Sequence, residues 1–354
     1  MSLHLQVTPY RLPLRRLWRT ARGVLDARAG WLVRAQYEGV AGFGDCAPLP
    51  AAGTETAAQA KAQLLRCSSS GCEAVDDLLA ALDVEVSDTP AADCALEAAL
   101  LDRRARALGL SLRRLLCADA VDRIAVNAAL GGAAALEPSA VQQALAAGFR
   151  VLKLKVGAAP MDIELPRIEA VAALLPPGAT LRLDANGAWD ASTAALWIER
   201  LDGLPIDCIE EPIATADDAM LSDLQAAAPF SLALDESLVG RKHLDPRRLP
   251  VRRLVLKPGV VGGLRRTLRI AEQARAAGLE VVVTSLVESA AGLWVTAQLA
   301  AATGSPLAHG LATADWLSAD LGAPPSIEQG WLRLPDTAGS GFLPFDDPSA
   351  SPSA

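Results

Sequence analysis

Histidine is almost missing from this chain. Among 354 residues only His4, His243 and His309 occur, and no serine sits in a Gly-x-Ser-x-Gly elbow. Nucleophilic mechanisms that need an imidazole beside a Ser or Cys therefore have little to work with, and His309 reads as a structural residue near a strand end. Aromatics make up 4% of the chain against a hydrophobic share of 51%. The core must then be filled mainly by Ala, Leu and Val, from alanine-rich amphipathic helices. Cys46, Cys67, Cys72, Cys94, Cys117 and Cys208 show no Cys-x-x-Cys spacing, which argues against a zinc knuckle or disulfide framework and for buried thiols in a reducing compartment. Basic residues are in deficit, 33 against 41 acidic for a net charge of -8, and they are scattered. That excludes the electrostatic footprint of a nucleic-acid binder. No Gly-x-Gly-x-x-Gly follows a strand; Gly259, Gly262 and Gly263 have the wrong spacing for a dinucleotide loop. The opening Met-Ser-Leu-His-Leu-Gln-Val lacks a basic stretch followed by an apolar one, and no segment reads as a membrane span. The expectation is a cytoplasmic enzyme with no membrane partner.

What is present is a repeat of elements. From Arg123 onward, short β-branched or leucine-rich runs end in a polar residue and lead into alanine-rich helical patterns. Eight runs are expected as strands, at residues 124–127, 151–155, 181–184, 208–210, 232–235, 254–257, 281–284 and 306–309. Their spacing suits an α/β fold of the TIM-like (β/α)-barrel type over residues 121–325, with catalytic groups at the C-terminal strand ends. Residues 1–120 have a different texture. Strand-like runs at 3–10 and 31–37 precede helical stretches near 57–65 and 94–108, and point to a separate α+β domain. A short strand-like stretch at 330–334 is expected to return to that domain, completing it over about residues 326–345, and the Pro/Ser/Asp-rich residues 346–354 read as a disordered tail.

In Val-Leu-Lys-Leu-Lys-Val, strand alternation puts Lys153 and Lys155 on one face. Two lysines on a solvated edge strand need an exposed face, which a closed barrel interior does not offer, so a functional pair is the stronger reading. Asp184, Glu210 and Asp235 end the next three runs. A single carboxylate there is as readily a helix cap as a ligand. Three converging carboxylates repel one another unless a cation sits between them, and all-oxygen ligation favours magnesium, with manganese as substitute, over zinc or copper. Lys257 ends the sixth run, across the barrel from Lys155. A neutral lysine takes the α-proton of a metal-bound carboxylate, and a neighbouring cation lowers its pKa toward the working range. Glu211 and Glu236 adjoin the candidate ligands and are expected to support them.

With these residues placed, the chain resembles the muconate-lactonizing subgroup of the enolase superfamily over nearly its whole length. Lys153-Leu-Lys155, Asp184-Ala-Asn186, Glu210-Glu211-Pro212, Asp235-Glu236-Ser237 and Lys257-Pro258 occur in that family's order, and a lysine base with magnesium is that superfamily's pattern. The resemblance implies Lys155 as base, Lys257 as its cationic partner, Lys153 near the substrate carboxylate, and Asp184, Glu210 and Asp235 as magnesium ligands. It also implies that the N-terminal domain caps the barrel, with a mobile loop at 18–30 that closes over a small-molecule carboxylate, and that the protein forms a homo-oligomer. Thr20 and Arg22 on that loop are candidates for reading the distal part of the substrate. Gly42-Phe43-Gly44-Asp45-Cys46-Ala47-Pro48-Leu49-Pro50 is similar to the family's Gly-x-Gly-Glu-x-x-Pro-Leu-Pro, with Asp45 in place of Glu. Asn127 on the first run, the stretch containing Ser285, Glu288 and Ser289, and Gly310-Leu311-Ala312-Thr313 resemble the o-succinylbenzoate synthase family, dehydratases of menaquinone biosynthesis. Dipeptide epimerases, N-succinylamino acid racemases and muconate cycloisomerases share the lysines. Asp315 and Asp320 do not form the Asp-x-Asp typical of the epimerases. A metal-stabilised barrel serving only as a binding protein is the non-enzyme alternative.

Overall fold

The computed structural model describes residues 2–20, 23–69, 75–83, 87–214, 217–239 and 244–345. The N-terminal part is an antiparallel sheet of β1 (His4–Thr20), β2 (Gly23–Tyr37) and β3 (Val40–Cys46), packed on α1 (Ala57–Ser69), α2 (Val75–Leu82), α3 (Pro90–Ala107) and α4 (Leu112–Leu116). The β2–β3 hairpin turns at Glu38 and Gly39, with φ of 52° and 79°, the paired positive φ that two-residue hairpins favour. Helix α3 lies directly on β3. A Cβ on Gly42 or Gly44 would collide with backbone of Ala95, Ala99 or Arg103, so this Gly-x-Gly exists to let strand and helix backbones touch.

After β4 (Arg123–Ala125), a parallel sheet begins with β5 (Ala128–Gly132), followed by α5 (Pro138–Ala146), β6 (Val151–Lys155), α6 (Met161–Ala172), β7 (Thr180–Asp184), α7 (Ala191–Arg200), β8 (Ile206–Glu210), α8 (Asp218–Ala227), β9 (Ser231–Leu234), β10 (Arg253–Leu256), the short α9 (Pro258–Val261), α10 (Leu264–Ala276), β11 (Glu280–Val283) and α11 (Ala290–Ala302). The seven strands β5 to β11 lie in sequence order in one curled sheet. One face packs on the helices through a continuous apolar cluster that includes Leu152, Leu154, Leu181, Leu183, Leu232, Leu254 and Trp197. Asp190 and Asp217 start α7 and α8 by accepting from Thr193 N and Met220 N, as N-cap carboxylates do.

The other face is not the purely apolar filling that the composition suggests. Arg182 and Arg253, each 1% exposed, share the carboxylate of Asp207, with Arg253 forking onto both its oxygens at 2.6 and 2.9 Å and Arg182 Nε donating at 2.9 Å. Glu280 takes Arg253 Nε and Ser231 Oγ. In a chain with few rings, bidentate arginine pairs fill the interior and satisfy each other's charge.

Two of the eight expected strands differ. The run at 124–127 splits: β4 pairs antiparallel with β13 (Trp331–Arg333), itself paired with β12 (Ile327–Glu328), and only from Ala128 does the chain join the parallel sheet. The run at 306–309 contributes isolated bridges, His309 to Val126 on one side and Gly310 to Thr284 on the other, because Pro306 has no backbone N–H with which to lengthen the ladder. The stretch at 330–334 accordingly pairs with β4 and not with the N-terminal sheet; it is residues 339–342 that return there, through Gly339 to Leu110 and Leu112 and through Ser340 N to Asp102. The stretch expected as a loop at 18–30 is mostly ladder, with Trp18 opposite Leu25 and Thr20 opposite Gly23 after an irregularity between Pro13 and Trp18. Trp18 meets Trp316 edge to face at 5.5 Å, which gives this hairpin an apolar anchor. The longest stretch free of Asp, Glu, Lys and Arg, residues 289–314, holds the 13-residue α11, buried almost throughout. Among the described residues no helix is long and apolar enough to cross a membrane.

Candidate active site

Consecutive strand ends deliver the ionisable groups to one mouth. Lys155 closes β6, Asp184 closes β7 and Glu210 closes β8, paired across the ladder as Lys155 to Asp184 to Glu210; Asp235 and Lys257 immediately follow β9 and β10. Asp184, Glu210 and Asp235 are 4%, 1% and 7% exposed, so three carboxylates share a dehydrated space.

Their charge is met by ammonium groups. Lys153 Nζ lies 2.9 Å from Asp184 Oδ2 and also bonds Glu210 Oε2, and Lys257 Nζ donates to Asp235 Oδ2 at 2.6 Å. Burial alone would lower both lysines, yet the facing carboxylates outweigh it and both pKa values are raised. The expectation that a neighbouring cation lowers a lysine's pKa is thus reversed at Lys153 and Lys257, since each is paired with a carboxylate. On the acid side, burial raises Glu210 with repulsion from Asp184 adding to it, and burial with Glu236 repulsion lifts Asp235 to about 6 despite Lys257. Asp184 moves down, its burial overcome by Lys153, Lys155 and Lys257. Among the described residues no three acidic, His or Cys groups form a ready-made cation cage. The donor chemistry nonetheless fits a hard divalent ion: three buried carboxylates on adjacent strand ends, two of them with pKa values raised by burial and by neighbouring carboxylates, the burden a bound cation relieves.

The supporting residues divide by what they touch. Glu211, with φ of 41°, takes Asp235 N at 2.8 Å and Ser237 N at 3.3 Å, and Ser237 Oγ as well; it fastens the turn that aims Asp235. Asn186 accepts from Lys155 Nζ at 2.6 Å and donates to Glu236 Oε1 at 3.1 Å. Asn127 lies buried beside Arg182. Ser285 Oγ pairs with Thr313 Oγ1 at 2.6 Å. Glu288 is occupied by Leu286 N and by Thr296 Oγ1, which ties the loop after β11 to α11, and Ser289 gives its N and Oγ to Asp45 at 2.7 Å each, at the junction with the N-terminal layer. Thr20 ends β1; its side chain and Arg22 lie outside the described residues. His309 is fully buried, with Nδ1 accepting from Val283 N, and burial lowers it to about 4.

A cavity of about 430 Å³ opens beside Asp235, Glu236 and Lys257 and is bounded on the other side by Gly53, Thr54 and Gln59. Sequence reasoning missed this N-terminal wall. The signal available was Pro48-Leu49-Pro50, a chain reversal whose Leu49 N is held by Thr54 Oγ1 at 2.6 Å.

Comparison with known proteins places these features. The family described as Enolase C-terminal domain-like matches residues 136–347, and "MenC, N-terminal domain" matches residues 4–100. An o-succinylbenzoate synthase of Thermosynechococcus vestitus is 34% identical over 67% of this chain and 69% of its own length. One from Thermobifida fusca is 40% identical, but over only 45% of this chain and 49% of its own. A hydrophobic dipeptide epimerase of Roseobacter litoralis is 30% identical over 82% of this chain and 84% of its own. Among solved structures, the L-Ala-D/L-Glu epimerase of Bacillus subtilis superposes with a TM-score of 0.87 at 22% identity, covering 97% of this chain and 99% of that one, a likeness of fold.

Proposed function

This chain belongs to the enolase superfamily, and from that premise we propose that it is a magnesium-dependent o-succinylbenzoate synthase, dehydrating 2-succinyl-6-hydroxy-2,4-cyclohexadiene-1-carboxylate on the menaquinone route. The observation that carries the choice within the superfamily is the N-terminal match over residues 4–100 to the MenC domain, supported by o-succinylbenzoate synthases among the relatives. On this reading the seven strands and the bridges at His309 and Gly310 act as one barrel, capped by the N-terminal layer.

Asp184, Glu210 and Asp235 would hold the magnesium ion. When bound, that ion supplies Lewis-acid stabilisation of negative charge developing on the substrate carboxylate. Lys155 Nζ takes the α-proton, the electron pair moves into the ring, and the C–O bond to the hydroxyl breaks. Lys155 then returns its proton to the leaving hydroxide, so that water and an aromatic ring are the products and the lysine ends neutral. Lys257, held cationic by Asp235, stabilises the same developing charge from the opposite side.

Dipeptide epimerisation is the second reading, favoured by the Roseobacter relative. Against it, Asp315 and Asp320 do not form an Asp-x-Asp pair, and Asp320 Oδ1 accepts from Ala290 N at the start of α11 and from Leu321 N, at 2.8 and 2.7 Å. The deciding assay follows the absorbance of the cyclohexadiene carboxylate with magnesium, with and without chelator. Rapid aromatisation that chelator stops is expected, and Lys155→Ala should lose at least about a hundred-fold in kcat. No turnover in protein that binds magnesium would transfer the assignment to epimerisation.

A further inference from the structure

The base proposed above has a hydrogen-bonded support with a built-in direction. Lys155 Nζ donates to Asn186 Oδ1 at 2.6 Å, Asn186 Nδ2 donates to Glu236 Oε1 at 3.1 Å, and Glu236 Oε2 is buried with no hydrogen-bond partner among the described residues. Asn186 stands at φ 46°, in the left-handed region that asparagine tolerates. Gly187 N, bonded to Glu211 O at 2.6 Å, locks that turn, so the amide is aimed by the backbone. What the backbone does not decide is which end of the amide faces the lysine.

The geometry points to Glu236 as the positioning residue that decides it, acting on Lys155 through Asn186; the inference rests on Lys155 being the base. Glu236 Oε1 accepts the NH2 end of Asn186, which turns the amide oxygen to Lys155. A neutral amine has two N–H bonds and one lone pair. With an oxygen behind it, the amine spends an N–H on Asn186, and the lone pair is left facing the mouth where the α-proton arrives. With the amide reversed, its NH2 would occupy that lone pair and the base would be lost, while the ammonium form would face a donor. Among the described residues Glu236 Oε2 has no hydrogen-bond partner, which makes Asn186 the carboxylate's principal donor there.

Glu236→Gln keeps size and shape but can present either a donor or an acceptor to Asn186. It is expected to fold and to bind magnesium as the wild type does, with kcat down about ten-fold and KM within about two-fold. Asn186→Gly removes the amide at a backbone setting that glycine accepts. If Glu236 works through Asn186, the double variant Asn186→Gly/Glu236→Gln loses no more kcat than Asn186→Gly alone, because the two effects are one. Losses that multiply, or an undiminished kcat in Glu236→Gln, overturn the proposal. Independently of turnover, the Asn186 side-chain amide signal of metal-free, asparagine-labelled protein, identified by its loss in Asn186→Gly, should move on Glu236→Gln; an unmoved signal also overturns it. Full activity in Lys155→Ala would remove the base itself and with it both this inference and the functional reading, an outcome distinct from failure of the Glu236 coupling alone.

Discussion

Asp45 shows how much one side chain connects. Its carboxylate takes Tyr10 Oη at 2.5 Å from β1 and the N and Oγ of Ser289 ahead of α11. Burial pushes its pKa up to about 6 against those hydrogen bonds. The folded state therefore holds this proton more tightly than the unfolded chain, and stability contributed here is greatest below about pH 4, falls as pH rises to about 6, and is level above. The difference across that window is about 3 kcal/mol. Urea unfolding of the wild type and Asp45→Asn at pH 4.5 and pH 7 should show a smaller decline in the variant; equal declines would remove Asp45 as the cause. Glu211 acts on a neighbour instead. Glu211→Ala frees Asp235 N and Ser237 N, and magnesium affinity measured by calorimetry should fall about ten- to a hundred-fold.

At the scale of elements, the contact of β3 with α3 is the least forgiving. Gly44→Ala drives a methyl into the carbonyl of Ala95, and the helix cannot retreat without uncovering Leu96 and Leu100, both fully buried. A loss of about 3 kcal/mol or insoluble expression is expected, measurable as a lowered urea midpoint; a wild-type midpoint would show that the layers have slack. The alternation of strands and helices was readable because each parallel strand is a short apolar run ending in a polar residue. The same rule puts Lys155, Asp184, Glu210, Asp235 and Lys257 at the strand ends where they lie. It failed where neighbours decide the outcome. Residues 124–127 follow two pairing partners, one of them more than 200 residues away in the chain. The segment at 18–30 continues as ladder because Trp18 finds Trp316. The Arg182, Asp207 and Arg253 layer has no local signature, since nothing in a strand's own pattern announces an inward arginine whose carboxylate lies on another strand, the next one for Arg182 and the next but one for Arg253. The pairing of Lys153 with two carboxylates was likewise unreadable from alternation alone.

For the molecule as a whole, charge at the mouth links ligand and stability. The mouth sets three buried carboxylates against two closely paired ammonium groups, so magnesium should raise the melting temperature by a few degrees at about a hundred times its Kd. Asp184→Asn and Glu210→Gln should each lose that rise, and a rise that survived in both would place the ion elsewhere. The two layers are stitched at several points besides the mouth: Arg28 to the carbonyl of Val287, and Glu97 to the first residues of α10. One of these stitches sets a timetable for synthesis. Asp102, buried in α3, receives Phe43 N from the adjoining strand at once, but its other oxygen waits for Ser340 N, 238 residues later. At translation rates of about 5 to 20 residues per second, the N-terminal layer spends on the order of tens of seconds outside the ribosome with that carboxylate half satisfied. Nascent chains halted before Gly339 should be nicked by protease in the N-terminal layer, and chains halted after the clasp has emerged should resist, which makes the stretch at 339–342 the step that commits the N-terminal layer.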